Sequence, residues 1–193
     1  KANKMNSIII QEFINHINTS QNAMETLPAN IGIAAKKCIH SLKKNGKILL
    51  FGNGGSAADA QHIAAELVGR YKNERKGLSA IALTTDSSVM TSISNDYGYE
   101  NIFKRQIQAI ATKGDVVIGI STGGTSKNVI SALKLAKQLE CEVIGFSGKG
   151  GGEMNEICSL NLVAPSNDTP RIQEIHILIG HILCHLIEKE FVD

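Results

Sequence analysis

Five short, unbroken apolar runs recur after Gly46: Lys47–Phe51, Ser79–Leu83, Asp115–Ile120, Glu142–Phe146 and Leu160–Val163. Most are separated by stretches long enough for a helix. A run that short and continuous has no polar face to turn toward water. It belongs in a sheet covered on both sides, and strands joined through helices run parallel. The pattern predicts an α/β fold built on a five-stranded, doubly wound parallel sheet. The first 45 residues read instead as two extra N-terminal helices. Ile8, Phe13, Ile14 and Ile17 recur at a rough 3.6 period until Thr26-Leu27-Pro28 interrupts them. Ile31, Ala34, Ala35, Cys38, Ile39 and Leu42 mark one face of the second helix, which Asn45-Gly46 ends. A long C-terminal helix is predicted from about Arg171 to Glu190. No linker, repeat or low-complexity tract divides the 193 residues, so one domain over 1–193 is expected.

Composition removes several function classes. Hydrophobic residues make up 42% and charged residues 20%, which supplies a core and argues against disorder. Lys and Arg number 20 against 18 Asp and Glu, and the nearest thing to a basic block is the short Lys72–Lys76 stretch. Nucleic acid is therefore not an expected partner. No apolar run approaches the ~18–20 residues of a membrane helix, and no charged n-region precedes an apolar h-region. A cytoplasmic protein without a membrane partner is expected. Cys38, Cys141, Cys158 and Cys184 are widely spaced with no C-x-x-C pair, which suits free thiols in a reducing cytosol.

In open α/β sheets ligands sit beyond the carboxyl ends of the strands, and small polar residues concentrate there. After the first run comes Gly52-Asn53-Gly54-Gly55-Ser56-Ala57, leading into a helix. After the third comes Ser121-Thr122-Gly123-Gly124-Thr125-Ser126, with four hydroxyls where a helix cap needs one. Backbone N–H groups, hydroxyls and a helix N-terminus make a cradle for phosphate without any lysine. The dinucleotide fingerprint fails at Ala57 and the P-loop lysine is missing, so no nucleotide cofactor is expected. A third cluster, Gly148–Gly152, reads as a flexible loop beside the site.

Two predicted helices carry groups that could do chemistry. His62 and Glu66 are four residues apart and face the same way, among small and apolar neighbours. Gln173 and His181 lie eight apart on the C-terminal helix, about 80° from one another around its axis. His16, His40 and His185 suit hydrogen-bonded core or rim positions, and His176 leans the same way. H-x-x-x-E alone is a weak metal signal, and neither the H-E-x-x-H nor the G-x-S-x-G pattern occurs. A carboxylate and an imidazole beside a phosphate cradle suit proton transfer next to a carbonyl. The residues alone thus reach a phosphosugar-binding α/β domain, with acid–base catalysis left open.

The motifs together resemble the phosphoheptose isomerases, which are sugar-isomerase (SIS) domain proteins of flavodoxin-like sheet topology. The resemblance is carried by Gly52–Ser56, Asp59-Ala60-Gln61-His62 through Glu66-Leu67, Ser94-Asn95-Asp96-Tyr97-Gly98, Ile120–Gly124 and Arg171-Ile172-Gln173-Glu174-Ile175-His176. It implies isomerisation of sedoheptulose 7-phosphate to D-glycero-D-manno-heptose 7-phosphate, the first step toward ADP-heptose for bacterial surface polysaccharide. It implies Glu66 and His181 as the acid–base pair working through an enediol. It implies that Asn53, Gly54, Gly55, Ser56, Glu66, Asn95, Asp96, Ser121, Thr122, Gly123, Ser126 and Gln173 hold the substrate. A zinc ion on His62, Glu66, Gln173 and His181 is implied for members that bind metal, and so is a cytoplasmic homotetramer with sites at subunit interfaces. One departure stands out: members often read Ser-Thr-Ser-Gly where this chain has Gly123 third, and the missing hydroxyl would cost about 1.5–3 kcal/mol of binding unless Thr125 or a backbone N–H replaces it.

A rival reading is a non-catalytic SIS-domain tetramer that binds the replication initiator DnaA. It shares much of the glycine loop and the Arg-Ile-Gln-Glu run, but has non-titrating residues where this chain has Glu66 and His181. A sugar-phosphate sensor is a third reading, and 193 residues leave little room for the DNA-binding domain such regulators carry.

Overall fold

In the computed structural model, which describes residues 2–192, the five apolar runs become five strands of one parallel sheet. They are β1 Ile48–Gly52, β2 Ala80–Ala82, β3 Val116–Ile120, β4 Glu142–Ser147 and β5 Leu160–Val163, each within a residue of the expected ends. Strand order is β2-β1-β3-β4-β5, with Ile48 opposite both Ala80 and Val116. β1 and β3 are buried along their whole length, which is why their sequences do not alternate.

Alternate side chains of each strand feed two separate cores. Ile48, Leu50, Val116, Ile118 and Phe146 pack against α2 (Pro28–Lys43), α3 (Gly55–Val68) and α8 (Thr169–Glu188). Leu49, Phe51, Val117 and Val143 pack against α5 (Ile102–Ile110), α6 (Lys127–Gln138) and α7 (Met154–Ile157), where the Phe51 and Phe103 rings stack at 5.0 Å. α4 (Ser87–Tyr97) and a 3-10 turn at Tyr99–Asn101 fill the remaining stretch between β2 and α5. Among the described residues, no helix is long and apolar enough to cross a membrane.

The apolar face expected on α2 is buried, through Ile31, Ala34, Ala35, Cys38 and Leu42. α1 (Ala2–Thr26) behaves differently. Its periodic residues Ile8, Phe13, Ile14 and Ile17 are exposed, and among its described side chains only Ala23 near its end joins the hydrophobic core. Cys38 and Cys184 are buried, Cys141 and Cys158 half-buried, and all four are free. Burial pushes the Cys38, Cys158 and Cys184 thiols up to about 12, which leaves them without thiolate at neutral pH.

The amino end of the sheet is tied by one buried carboxylate. Asp115 accepts from the backbone N–H of Lys47 at 3.0 Å and of Thr112 at 2.8 Å, and lies 2.7 Å from Lys47 Nζ. Burial works against its charge, yet these donors prevail and hold its pKa below the usual value. A depressed folded pKa gives stability that is present above the unfolded value and lost as pH falls through the folded one. Asp115→Asn is therefore expected to cost about 1–3 kcal/mol at neutral pH. Its melting-temperature gap to the parent should close as pH drops below about 4.

Candidate active site

The strand order reverses direction between β1 and β3, and α3 and α6 start directly from the carboxyl ends of those two strands. This is the crevice where open α/β sheets bind ligands. Neither helix start is capped by a side chain. Gly54 enters α3 at φ +57, and the Ser126 hydroxyl at the start of α6 pairs with Ser121 Oγ at 2.9 Å. The starts of both helices, with their positive dipole ends, thus lie at the same crevice.

Side chains link the two loops. Asn53 and Asn128 exchange reciprocal amide hydrogen bonds of 2.9 and 2.8 Å, and the Tyr99 hydroxyl donates to Asn53 Oδ1 at 2.9 Å. Asn128 is buried and orients Asn53. Sequence reasoning passed over both Asn128 and Tyr99. An Asn in the first turn after a hydroxyl-rich loop was a usable signal for the first, whereas nothing local marks Tyr99. Gln173 reaches the glycine loop from α8: a methyl on Gly55 would lie 2.7 Å from its Nε2.

The third glycine cluster serves packing as well as looping. A methyl on Gly124, which has φ +67, would lie 2.0 Å from the Gly151 carbonyl oxygen, and one on Gly152, with φ +54, would lie 2.7 Å from the Gly124 carbonyl oxygen. Gly148–Gly152 is thereby pressed against the hydroxyl loop. Gly124→Ala is expected to cost about 1–3 kcal/mol in backbone strain alone and to raise KM for a phosphate-bearing substrate. A variant with parental melting temperature and KM would contradict the packing. Thr125 Oγ1 lies 3.5 Å from where a Gly123 side chain would begin, close to the missing hydroxyl. Ser56 is buried beneath the loop, while Asn95 and Asp96 are exposed at the end of α4, where Asn95 donates to Asp96 at 2.8 Å.

The titrating groups meet where α3 and α8 pack. Ligating atoms of His62, Glu66 and His181 all lie within 4.8 Å of one another. His62 Nε2 is 3.3 Å from Glu66 Oε1 and 3.4 Å from His181 Nε2. The Gln173 amide, the remaining member of the implied zinc set, reaches Gly55 at the start of α3. Asp59, one turn before His62, is held up to about 6 by burial, with His62 pulling the other way, and its Oδ2 has no hydrogen-bond partner.

The other histidines stand apart from this cluster. His176 is wholly buried, its Nε2–H donates to the Ser147 carbonyl at 2.7 Å, and burial lowers its pKa to about 4. His16 pairs with Glu174 at 2.7 Å and so joins α1 to α8. His40 lies on the surface, and the His185 ring leans on Tyr71.

A crevice that attracts an anion, beside a clustered carboxylate and two imidazoles, suits moving protons on a phosphorylated substrate. The SIS domain family profile matches residues 12–148. The chain is similar to the phosphoheptose isomerase of Aliarcobacter butzleri, 58% identical over 186 residues that cover 96% of this chain and 98% of that protein. Solved phosphoheptose isomerases from Neisseria gonorrhoeae and Francisella tularensis superpose with TM-scores of 0.91 and 0.92 at 41% and 36% identity. They cover 96% and 95% of this chain, and 99% and 97% of their own.

Proposed function

We propose a reaction for this chain from one premise: it belongs to the phosphoheptose isomerases, a family of SIS-domain proteins. It converts sedoheptulose 7-phosphate to D-glycero-D-manno-heptose 7-phosphate, the first step toward ADP-heptose. The observation that carries the mechanism is the meeting of Glu66 and His181 from separate helices, with ligating atoms within 4.8 Å.

The phosphate sits at the starts of α3 and α6, held by Asn53, Gly54, Gly55, Ser121, Thr122 and Ser126, with Thr125 supplying the hydroxyl that Gly123 lacks. Asn95, Asp96 and Gln173 bind along the polyol. One member of the Glu66–His181 pair takes a proton from C1 of the ketose. The C1–H electrons form the C1=C2 bond of an enediol as the C2 oxygen gains a proton. Returning a proton to C2 while the C1 hydroxyl loses one leaves the aldose.

The cluster also fits a zinc ion. Ligands about 2.0–2.1 Å from a tetrahedral zinc lie about 3.3–3.4 Å from one another, the separations found for His62–Glu66 and His62–His181. His62, Glu66 and His181 would hold it, and it would supply Lewis acidity to the substrate oxygens. Equilibrium dialysis should find zinc bound by the parent and weakened in His62→Ala, independently of turnover. Equal binding by both would remove zinc from this cluster.

The exposed Ile8, Phe13, Ile14 and Ile17 of α1 support contact with further copies, in keeping with a homotetramer. The DnaA-binding alternative is not favoured, since the similar proteins carry the isomerase name and both titrating residues are present. Product formation from sedoheptulose 7-phosphate tests the reading. A folded protein inert toward this ketose, with and without added zinc, would overturn it.

A further inference from the structure

The basic stretch around Lys72–Lys76 has no part in the reaction as described, yet its path is fixed by two wholly buried charges. The Arg75 side chain donates from Nη1 to the carbonyls of Leu67 at 2.8 Å and Gly69 at 2.9 Å, and from Nη2 to that of Glu66 at 2.8 Å. It thereby meets carbonyls at the end of the helix that carries Glu66, where the last turn has no partners within the helix. Glu188, near the end of α8, accepts the backbone N–H groups of Tyr71, Lys72 and Asn73, each at 2.9 Å. Its Oε1 lies 3.5 Å from Arg75 Nε. Seven residues separate Glu188 from His181, two turns along one face of α8. The segment is therefore fastened to both helices that supply the acid–base pair.

At that point it presents Tyr71. The Tyr71 ring stacks on His181 at 5.7 Å between centroids with 28° between planes, and leans on His185 at 6.0 Å. His62 meets the His181 ring edge-on, with 80° between planes and 4.9 Å between centroids. An imidazole is otherwise free about χ2, which has broad two-fold wells. A flat face on one flank and an edge on another leave it few orientations.

We propose that Tyr71 is a positioning residue for His181, setting the plane of the imidazole for proton transfer, and that the Arg75–Glu188 pair fastens Tyr71 in place. The inference rests on the reading of His181 as an acid–base group. Its role is in the aromatic face and not the hydroxyl, for which the structure gives no hydrogen-bond partner among the described residues.

The test is steady-state isomerisation of sedoheptulose 7-phosphate by the parent, Tyr71→Phe, Tyr71→Leu and His181→Gln, with melting temperatures for each. Leu keeps apolar bulk over α8 but removes the flat face. Tyr71→Leu should lower kcat about tenfold with KM within about twofold, because a small misplacement of a reacting group is costly. Tyr71→Phe should restore kcat to within about twofold of the parent. Should Tyr71→Leu melt below the assay temperature, Tyr71→Met carries the same comparison. Parental kcat in the Leu and Met variants would overturn the proposal. So would a loss confined to KM, or a Phe variant as slow as Leu. The His181→Gln arm separates the two levels of argument: if that variant keeps parental kcat, the reading of His181 itself is wrong whatever the Tyr71 variants show.

Discussion

Glu66→Gln and His181→Gln are each expected to lower kcat for isomerisation by about 10²–10⁴-fold, the usual worth of a positioned acid or base. Both substitutions keep size and hydrogen-bonding capacity while removing the titrating function. Glu66 is half-buried at the inner edge of the cluster and His181 is enclosed by His62 and Tyr71, so neither is a support of the core. Melting temperatures should stay close to the parental value. The two losses should not multiply in the double variant, because the two residues act together in one acid–base step. Stopped-flow or discontinuous product assays read this directly. A variant that retained more than a tenth of the parental kcat would remove that residue from the chemistry.

The largest effect on stability is expected from Glu188→Gln. Glu188 and Arg75 are each wholly buried, and removing one member of such a pair leaves the other charged and without compensation, at a cost of about 3–5 kcal/mol. Three backbone N–H groups and the Asn73 amide also converge on the carboxylate, and a carboxamide would turn a donor toward them. Burial alone would raise the Glu188 pKa, but the hydrogen bonds from Lys72, Tyr71 and Asn73 outweigh it and hold it below the usual value. This stabilisation is present above the unfolded pKa and fades as pH falls through the folded one. In a chain this size each kcal/mol moves the melting temperature by roughly 2–4 °C, so a fall on the order of 10 °C is expected at pH 7. The gap should narrow in acid. A change under about 1 kcal/mol would mean that water reaches the pair.

The sheet was legible because β1 and β3 are buried on both faces and so leave unbroken apolar runs, and because the hydroxyl and glycine loops mark the carboxyl ends of those strands. His62 and Glu66 could be paired from their spacing on one helix. Their meeting with His181 depends on α3 packing beside α8, a contact across more than a hundred residues that no local pattern records. Lys72–Lys76 stood out in the sequence only as the nearest thing to a basic block, and nothing local marks Arg75 as buried. Composition counts the guanidinium as surface charge, while three helix-end carbonyls and Glu188 draw it inside. The α1 stripe was read correctly as a helix, but among the described residues its apolar face is left exposed, which a periodic pattern cannot distinguish from burial in the core. Gly148–Gly152 read as a loop beside the site. That its glycines are needed for backbone contact with Gly124 follows only from the fold.

The central claim is that Glu66 and His181 move a proton between C1 and C2 of a phosphorylated ketose. Converting sedoheptulose 7-phosphate in deuterated water and reading the product by NMR tests it most directly. The account predicts deuterium at C2 of the aldose product, formed by the parent and lost together with activity in Glu66→Gln and His181→Gln. Product formed at parental rates by either variant would contradict it.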